Sequence, residues 1–295
     1  MQARVQPGIL KLKSRLYHLP VFGRLEQALE AGQTVGVRNL AGSFLAFVVD
    51  FTLQASGLPH LVVLPEAEAA EKLVDDLHAL LPEWKVAYFP ADESVPYDRG
   101  IFTPALHSMR LHALNVLLHR EAPVIVTTAT ALLKRLPSPL GLMDVVKELR
   151  VGQEVDRDDL LEWLSSRGYE RVDTVDELGQ FSARGGIVDV FSFDAEAPVR
   201  VEFDIDTIAS MREFDVLSQL STNQIEEVAL LGQVAEDQHQ ATLLDYFSEG
   251  GVVVWEDRPH CLKLMNDWLE EATQVFQRTP AERALPAVEE VYASP

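Results

Sequence analysis

Residues 181–191 read Phe-Ser-Ala-Arg-Gly-Gly-Ile-Val-Asp-Val-Phe, and residues 199–203 read Val-Arg-Val-Glu-Phe. Within them 187–191 (IVDVF) and 199–203 (VRVEF), rich in β-branched and aromatic residues, read as short strands, and the Gly-Gly pair after Arg184 marks a turn or bulge. Two further short runs follow at 208–214 and 225–231, again set off by polar turn residues. Such a succession predicts an antiparallel meander. Just upstream, 144–149 reads as a strand and 158–167 as a helix, with Asp156 as its N-cap. The unit 139–232 is therefore expected to be an α+β domain.

On either side the texture changes. Strand-like runs at 33–39 (QTVGVRN), 60–64 (HLVVL), 85–89 and 123–127 (PVIVT) alternate with helical periods at 42–55, 66–81 and 104–119. The second of these helices is amphipathic, apolar at Leu73, Leu77, Leu80 and Leu81. Strands separated by helices of this length imply a parallel sheet with helices on its faces. The first thirty residues read as one or two helices packed on that unit. Beyond 233 the same texture returns: a helix at 237–247, a strand at 251–255 (GVVVW), and a helix at 258–277 with Pro259 in its first turn. The simplest geometry returns this last strand to the first sheet. Three segments result: 1–138, an inserted 139–232, and 233–295 rejoining the first domain with a Pro-, Ala- and Glu-rich tail.

The 295 residues carry 46 acidic and 25 basic side chains, a formal charge of −21. The stretch 139–232 alone holds 21 acidic and 8 basic residues, and so −13 of the total. A surface this negative repels phosphate, which argues against non-specific binding of nucleic acid or an anionic membrane. The single cysteine, Cys261, excludes an internal disulfide and a cysteine-based metal cluster. No apolar run is long enough to span a bilayer, and the N-terminus lacks the continuous apolar region of a secretion signal. A cytoplasmic location is expected.

Catalytic signatures fail one after another. The turn before the helix at 42–55 is where an α/β protein of this kind holds nucleotide phosphates. A working phosphate loop needs glycines around a Lys-Ser/Thr pair. Here Gly42 is followed by Ser43 in place of Lys and Phe44 in place of Ser/Thr, so the nucleotide site is expected to be degenerate, with no cofactor. His260 and Cys261 are neighbours on a predicted helix and do not face each other. His107 and His112, five apart, share a face too poorly for metal ligands. The acidic pairs Asp158–Asp159 and Glu270–Glu271 are expected by chance in so acidic a chain. No catalytic residue and no metal site is expected.

Two arginines stand out in the acidic insertion, Arg171 and Arg184. Arginine makes fork-shaped, often bidentate contacts and is enriched at binding hot spots. The plain alternative is that each neutralises a local carboxylate such as Asp173 or Glu177. The residues alone leave both readings open.

The runs at 168–173 (GYERVD), 181–191, 200–203 (RVEF) and 212–215 (REFD) resemble domain 2 of the excision-repair protein UvrB and of the bacterial transcription-repair coupling factors. The segment 89–98 (FPADESVPYD), with 108–117 after it, resembles the first domain of both. UvrB keeps a working phosphate loop and a long aromatic DNA-clamping hairpin. Here the loop is degenerate and the hairpin's place is the short 96–104 with Tyr97, so the coupling-factor family is the better match and a UvrB-type ATPase, or another nucleotide-dependent α/β enzyme, the alternative. The resemblance implies a RecA-like, P-loop-like first domain (1–138, with 233–295) interrupted by a UvrA-binding domain at 139–232. It implies UvrA contacts at Arg171 and Arg184, with Ser182 standing where UvrB has a further arginine. It further implies masking of that surface by the C-terminal domain of the full-length protein. RNA polymerase, DNA, ATP and Mg²⁺ would be bound by domains outside this chain, which is expected to be an N-terminal fragment without catalysis of its own.

Overall fold

The computed structural model describes residues 7–81, 85–91, 104–119, 121–193, 195, 197–233, 239–247, 250–279 and 287–295. The chain divides into two compact units. One comprises Met1–Gly100, Ala113–Arg135 and Thr242–Pro295; the other comprises Ile101–His112 and Leu136–Ala241.

The first unit opens with α1 (Pro7–Leu16) and α2 (Pro20–Glu30), Pro20 occupying the first helical position, where its missing N–H is no loss. The strand expected at 33–39 does not form. These residues pair with no sheet among the described residues, and Val35 and Val37 stay exposed. Two valines separated by Gly36 and followed by Arg38-Asn39 present too little apolar surface to hold a strand to a sheet.

The expected alternation then holds: α3 (Phe44–Ser56), β1 (His60–Leu64), α4 (Ala67–His78), β2 (Val86–Phe89), α5 (Pro104–His119) and β3 (Val124–Thr128). Gly57, left-handed at φ 64°, stops α3 by donating its N–H to Leu53 O. Both β1 and β3 are buried at every position, as befits central strands of a parallel sheet covered on both faces. Ala46, Val49 and Leu53 of α3 and Leu73 and Leu77 of α4 share one apolar cluster with Val62 and Val126.

Asp50 lies inside the apolar face of α3, fully buried. Lys13 Nζ of α1 donates to its Oδ1 at 2.9 Å and to Leu80 O at 2.8 Å. Tyr17 OH and Gln54 Nε2 donate to its Oδ2, the latter at 2.9 Å. Burial, with the carboxylate alongside, holds the Tyr17 phenol above its usual range. The N-terminal helix is thus fastened by an ion pair that the hydrophobic pattern alone does not reveal.

The second unit takes α5 as far as His112 and resumes with β4 (Leu136–Pro137), α6 (Pro139–Met143), β5 (Val146–Arg150) and α7 (Arg157–Ser166). Asp156 caps α7 as expected, accepting from the N–H groups of Asp158 and Asp159. Then come β6 (Glu170–Arg171), β7 (Gln180–Arg184), β8 (Ile187–Phe191), β9 (Val199–Asp204), β10 (Thr207–Phe214), β11 (Ser221–Ile225), β12 (Glu227–Leu231) and β13 (His239–Ala241). Six of them form one sheet in the order β11-β10-β9-β8-β7-β6, antiparallel except where β6 runs parallel to β7. The strand expected at 225–231 forms as β12, starting two residues later, and the polar run before it adds β11, a strand the pattern does not announce. The chain breaks at Glu226, where β11 leaves β10 and β12 crosses to pair with β5.

The helix expected at 237–247 is not one either. Its described part is β13 followed by a 3₁₀ turn at Leu243–Phe247, started by Asp245, which accepts from the N–H and hydroxyl of Thr242. The chain then re-enters the first unit with β14 (Val252–Trp255), which pairs parallel with β1 and completes a sheet ordered β14-β1-β3-β2. Helix α8 (Arg258–Arg278) follows, with Pro259 in its first turn, then α9 (Val288–Val291).

His60 on β1 is fully buried, its Nδ1 2.8 Å from Leu58 O and its Nε2 2.9 Å from Thr52 Oγ1. Burial lowers its pKa to about 4. The ring is neutral in the folded chain but takes up a proton in the unfolded chain below about 6.5. The neutral ring's contribution is therefore intact above that pH and is lost as pH falls from about 6.5 towards 4. Urea unfolding from pH 7 to pH 5 should show a decline in stability that His60→Gln removes; an equal decline in the variant would contradict this.

Candidate functional site

The six-stranded sheet has one face of buried alternate residues, including Phe181, Val188, Val190, Val199 and Val201. The other face is polar across its middle. Directly opposed residues of antiparallel strands share a face, so register aligns Ser182, Asp189, Arg200 and Arg212 in one row. Arg184, Ile187, Glu202 and Ser210 form the next.

Asp189 and Arg200 make a bidentate pair, Nε to Oδ1 at 2.7 Å and Nη2 to Oδ2 at 2.9 Å. Asp189 as a residue is 8% exposed. The guanidinium also lies 4.8 Å over the Phe214 ring, and the Asp189 carboxylate holds its pKa above the usual arginine value.

At the β6–β7 edge the backbone is shaped by glycines and one glutamine. Gln180 Oε1 accepts from the N–H groups of Asp176 and Glu177. Gly179 has φ 78°, and a Cβ there would sit 2.3 Å from the Phe193 ring. Val172 and Leu178 pack on the cluster of Val175, Phe191 and Phe214, which pins the 172–178 loop down. At the β7–β8 turn Gly185 is left-handed at φ 58°, while a Cβ on Gly186 would lie 2.9 Å from Phe203 O. The Gly-Gly pair is therefore required both by the turn and by the close approach of β9.

These constraints leave a groove of about 370 Å³ lined by Arg171, Val172, Asp173, Ser182, Ala183 and Arg184. Both sequence-selected arginines are exposed and line it together. Neither pairs with a carboxylate among the described residues. Arg184 Nη2 donates to the backbone carbonyl of Asp173, with the Thr174 hydroxyl at 3.4 Å; Arg171 has no side-chain partner among the described residues. The other cations of 139–232 are occupied. Arg150, Arg157, Arg200 and Arg212 pair with acids, Arg167 donates to Asp144 O, and Lys147 sits over Trp163.

The remaining sequence candidates lie apart from this groove. Gly42 (φ 58°) precedes Ser43, the N-cap of α3, whose side chain makes no capping bond. The Phe44 ring lies 6.1 Å from Phe22 and 6.5 Å from Phe47, within an aromatic cluster. Among the described residues the turn follows the unpaired 33–39 stretch and opens α3. Cys261 is buried, its thiol donates to Glu256 O at 3.2 Å, and burial with Asp257 and Glu256 pushes it up to about 11; it is no nucleophile. Asp158 and Asp159 occupy the first turn of α7, and Glu270 and Glu271 are exposed on α8. No cluster of three metal-ligating side chains occurs among the described residues, and none of their helices is long and apolar enough to cross a membrane. The His107 side chain and the 92–103 segment with Tyr97 lie outside the described residues.

The groove falls inside residues 148–234, which match the family described as the UvrB interaction domain. The chain is similar to that family over this stretch. It is a relative of the transcription-repair-coupling factors: it is 30% identical over 204 residues to that of Bacillus subtilis (69% of this chain, 17% of that protein) and 35% over 218 residues to that of Myxococcus xanthus (71% and 18%). To that of Escherichia coli it is 29% identical over 213 residues (72% and 18%). The chain therefore spans less than a fifth of the length of these curated relatives.

The paired and unpaired arginines should behave differently. Arg200→Ala strands a nearly buried carboxylate and should cost about 3 kcal/mol, while Arg171→Ala and Arg184→Ala should each change stability by less than about 0.5 kcal/mol. Urea unfolding of the three variants checks this; equal effects would contradict it.

Proposed function

We propose that the chain is a UvrA-recruiting module of the transcription-repair-coupling type. It would bring UvrA to RNA polymerase stalled at DNA damage and so link transcription to nucleotide excision repair. The observation that carries this reading is the groove itself. In a segment of 21 acids and 8 basic residues, two exposed arginines without carboxylate partners line one concavity. The fork of Arg171, and the Arg184 donors not given to the Asp173 carbonyl, suit carboxylates on a protein partner.

On this reading the first unit is a RecA-like scaffold whose nucleotide site has decayed at Gly42, Ser43 and Phe44, and the chain itself catalyses nothing. ATP and Mg²⁺ belong to translocase domains elsewhere in the full-length protein, as do the contacts to polymerase and DNA. The C-terminal domain of that protein covers the groove until polymerase is engaged. The setting is the cytoplasm.

Truncating a well-packed interfacial arginine typically costs about 2 kcal/mol or more. The Arg171→Ala/Arg184→Ala double variant should therefore weaken UvrA binding by about a hundredfold or beyond, with circular dichroism unchanged. Unaltered affinity in a folded double variant would remove the groove from the interface. Separately, calorimetric titration with ATP and Mg²⁺ should show no binding to the wild-type chain, since Ser43 and Phe44 supply neither the phosphate cation nor the metal-binding hydroxyl. Micromolar binding that depends on residues 42–44 would restore the nucleotide-dependent alternative.

A further inference from the structure

The apex joining β9 to β10 is built against local preference. Asp204 pairs with Thr207, leaving a two-residue loop of Ile205 and Asp206. Ile205 is left-handed at φ 58°, while Asp206 is not. A hairpin with positive φ only at its first loop residue is one in which glycine is preferred there, and a β-branched residue in that region is a genuine outlier. Folding gains little from the side chain, since Ile205 is 85% exposed.

Nor can the apex relax. Val155 N donates to Asp206 O at 2.8 Å, Gly152 N to Ile208 O at 2.8 Å, and Ile208 N to Gln153 O at 3.0 Å. Glu154 bridges Thr207 on the same side. The neighbouring segment thus clamps the hairpin and holds an isoleucine in water in a strained conformation. Backbone strain of this kind concentrates at functional sites.

The apex is also continuous with the arginine groove. Arg184 faces Ile187, and Ile187 faces Glu202; Phe203 N donates to Gly186 O at 2.7 Å, which locks the two turns side by side. Ile205 stands two strands over and three residues along from Arg184, roughly 14 Å away by standard sheet spacings. A protein interface of ordinary size spans roughly 30 Å and takes in both. Ile187, itself 38% exposed, lies between them.

We propose that Ile205 is an apolar anchor for the partner bound at Arg171 and Arg184, so that the docking surface runs from the groove across Ile187 to the β9–β10 apex. This rests on the reading of the groove given above. Charge defines what the partner must offer. Carboxylates meet the two arginines, and about 14 Å further on an apolar pocket rimmed by Lys or Arg receives Ile205 between Asp204 and Asp206. A second copy of this chain, with its charge of −21, is a poor occupant for such an acidic apex.

The test is titration of UvrA with the full chain and its Ile205→Gly, Ile205→Leu and Arg171→Ala/Arg184→Ala variants, together with thermal melts. Glycine accepts the left-handed position, so Ile205→Gly should raise Tm by about 2–4 °C while weakening UvrA binding about tenfold. Ile205→Leu should keep most of the affinity. A higher Tm without loss of affinity in Ile205→Gly, when the arginine variant has lost binding, overturns this inference and leaves the groove standing. A lower Tm makes Ile205 a structural residue and overturns it as well. If the arginine variant binds like wild type, or the wild-type chain does not bind UvrA, the reading of the groove fails and the inference falls with it.

Discussion

Asp189 places a carboxylate in the middle of a six-stranded sheet, almost out of reach of water, and the bidentate fork of Arg200 is what makes that placement tolerable. Burying a lone carboxylate is costly enough to unfold a small domain. The pair therefore sets the register of β8 against β9, because a one-residue slip would put the two groups on opposite faces. It also fixes Phe214 beneath the guanidinium and, through Gln219 O at 3.4 Å, steadies the loop that follows β10. The rows on either side of the pair, including Arg184 and Ile187, take their positions from the same register.

Charge is the second organising quantity. With acids outnumbering bases by more than two to one in 139–232, any cation there has carboxylates within reach. Four arginines use them. Arg171 and Arg184 do not, because the loop between them is tied down elsewhere: Gln180 holds the backbone at 176 and 177, and Val172 and Leu178 are packed on an apolar cluster. Arg171 is thereby left without a partner among the described residues, and Arg184 reaches only the Asp173 carbonyl and the Thr174 hydroxyl. The first unit spends its buried charge differently, fastening α1 to α3 through Lys13 and Asp50.

Much of this was legible in the sequence. Buried parallel strands such as HLVVL and PVIVT, the amphipathic α4, the Asp156 cap and the return of GVVVW to the first sheet follow from periodicity and capping chemistry alone. The failures share a cause, in that tertiary pairing decided what local pattern could not. QTVGVRN has a strand's alternation but no neighbour to pair with. The polar run STNQI at 221–225 shows no strand pattern yet pairs with β10 as β11. The stretch at 237–247 has helical spacing but is captured by β4 and by the Thr242–Asp245 turn. At the site, Arg171 and Arg184 could be selected from composition and motif, but their shared groove depends on glycine backbone geometry. Ile205 was missed altogether, although an isoleucine between two aspartates at a hairpin apex, where glycine belongs, was a signal the sequence held.

On the proposed function, UvrA binds at the arginine groove of the second unit. Hydrogen–deuterium exchange of the chain with and without UvrA tests this most directly. Binding at the groove should slow exchange in the 173–179 loop and at Gly185–Gly186, with the amides of α3 and α4 unchanged. Protection confined to the first unit, with exchange around Arg171 and Arg184 unaltered, would contradict it.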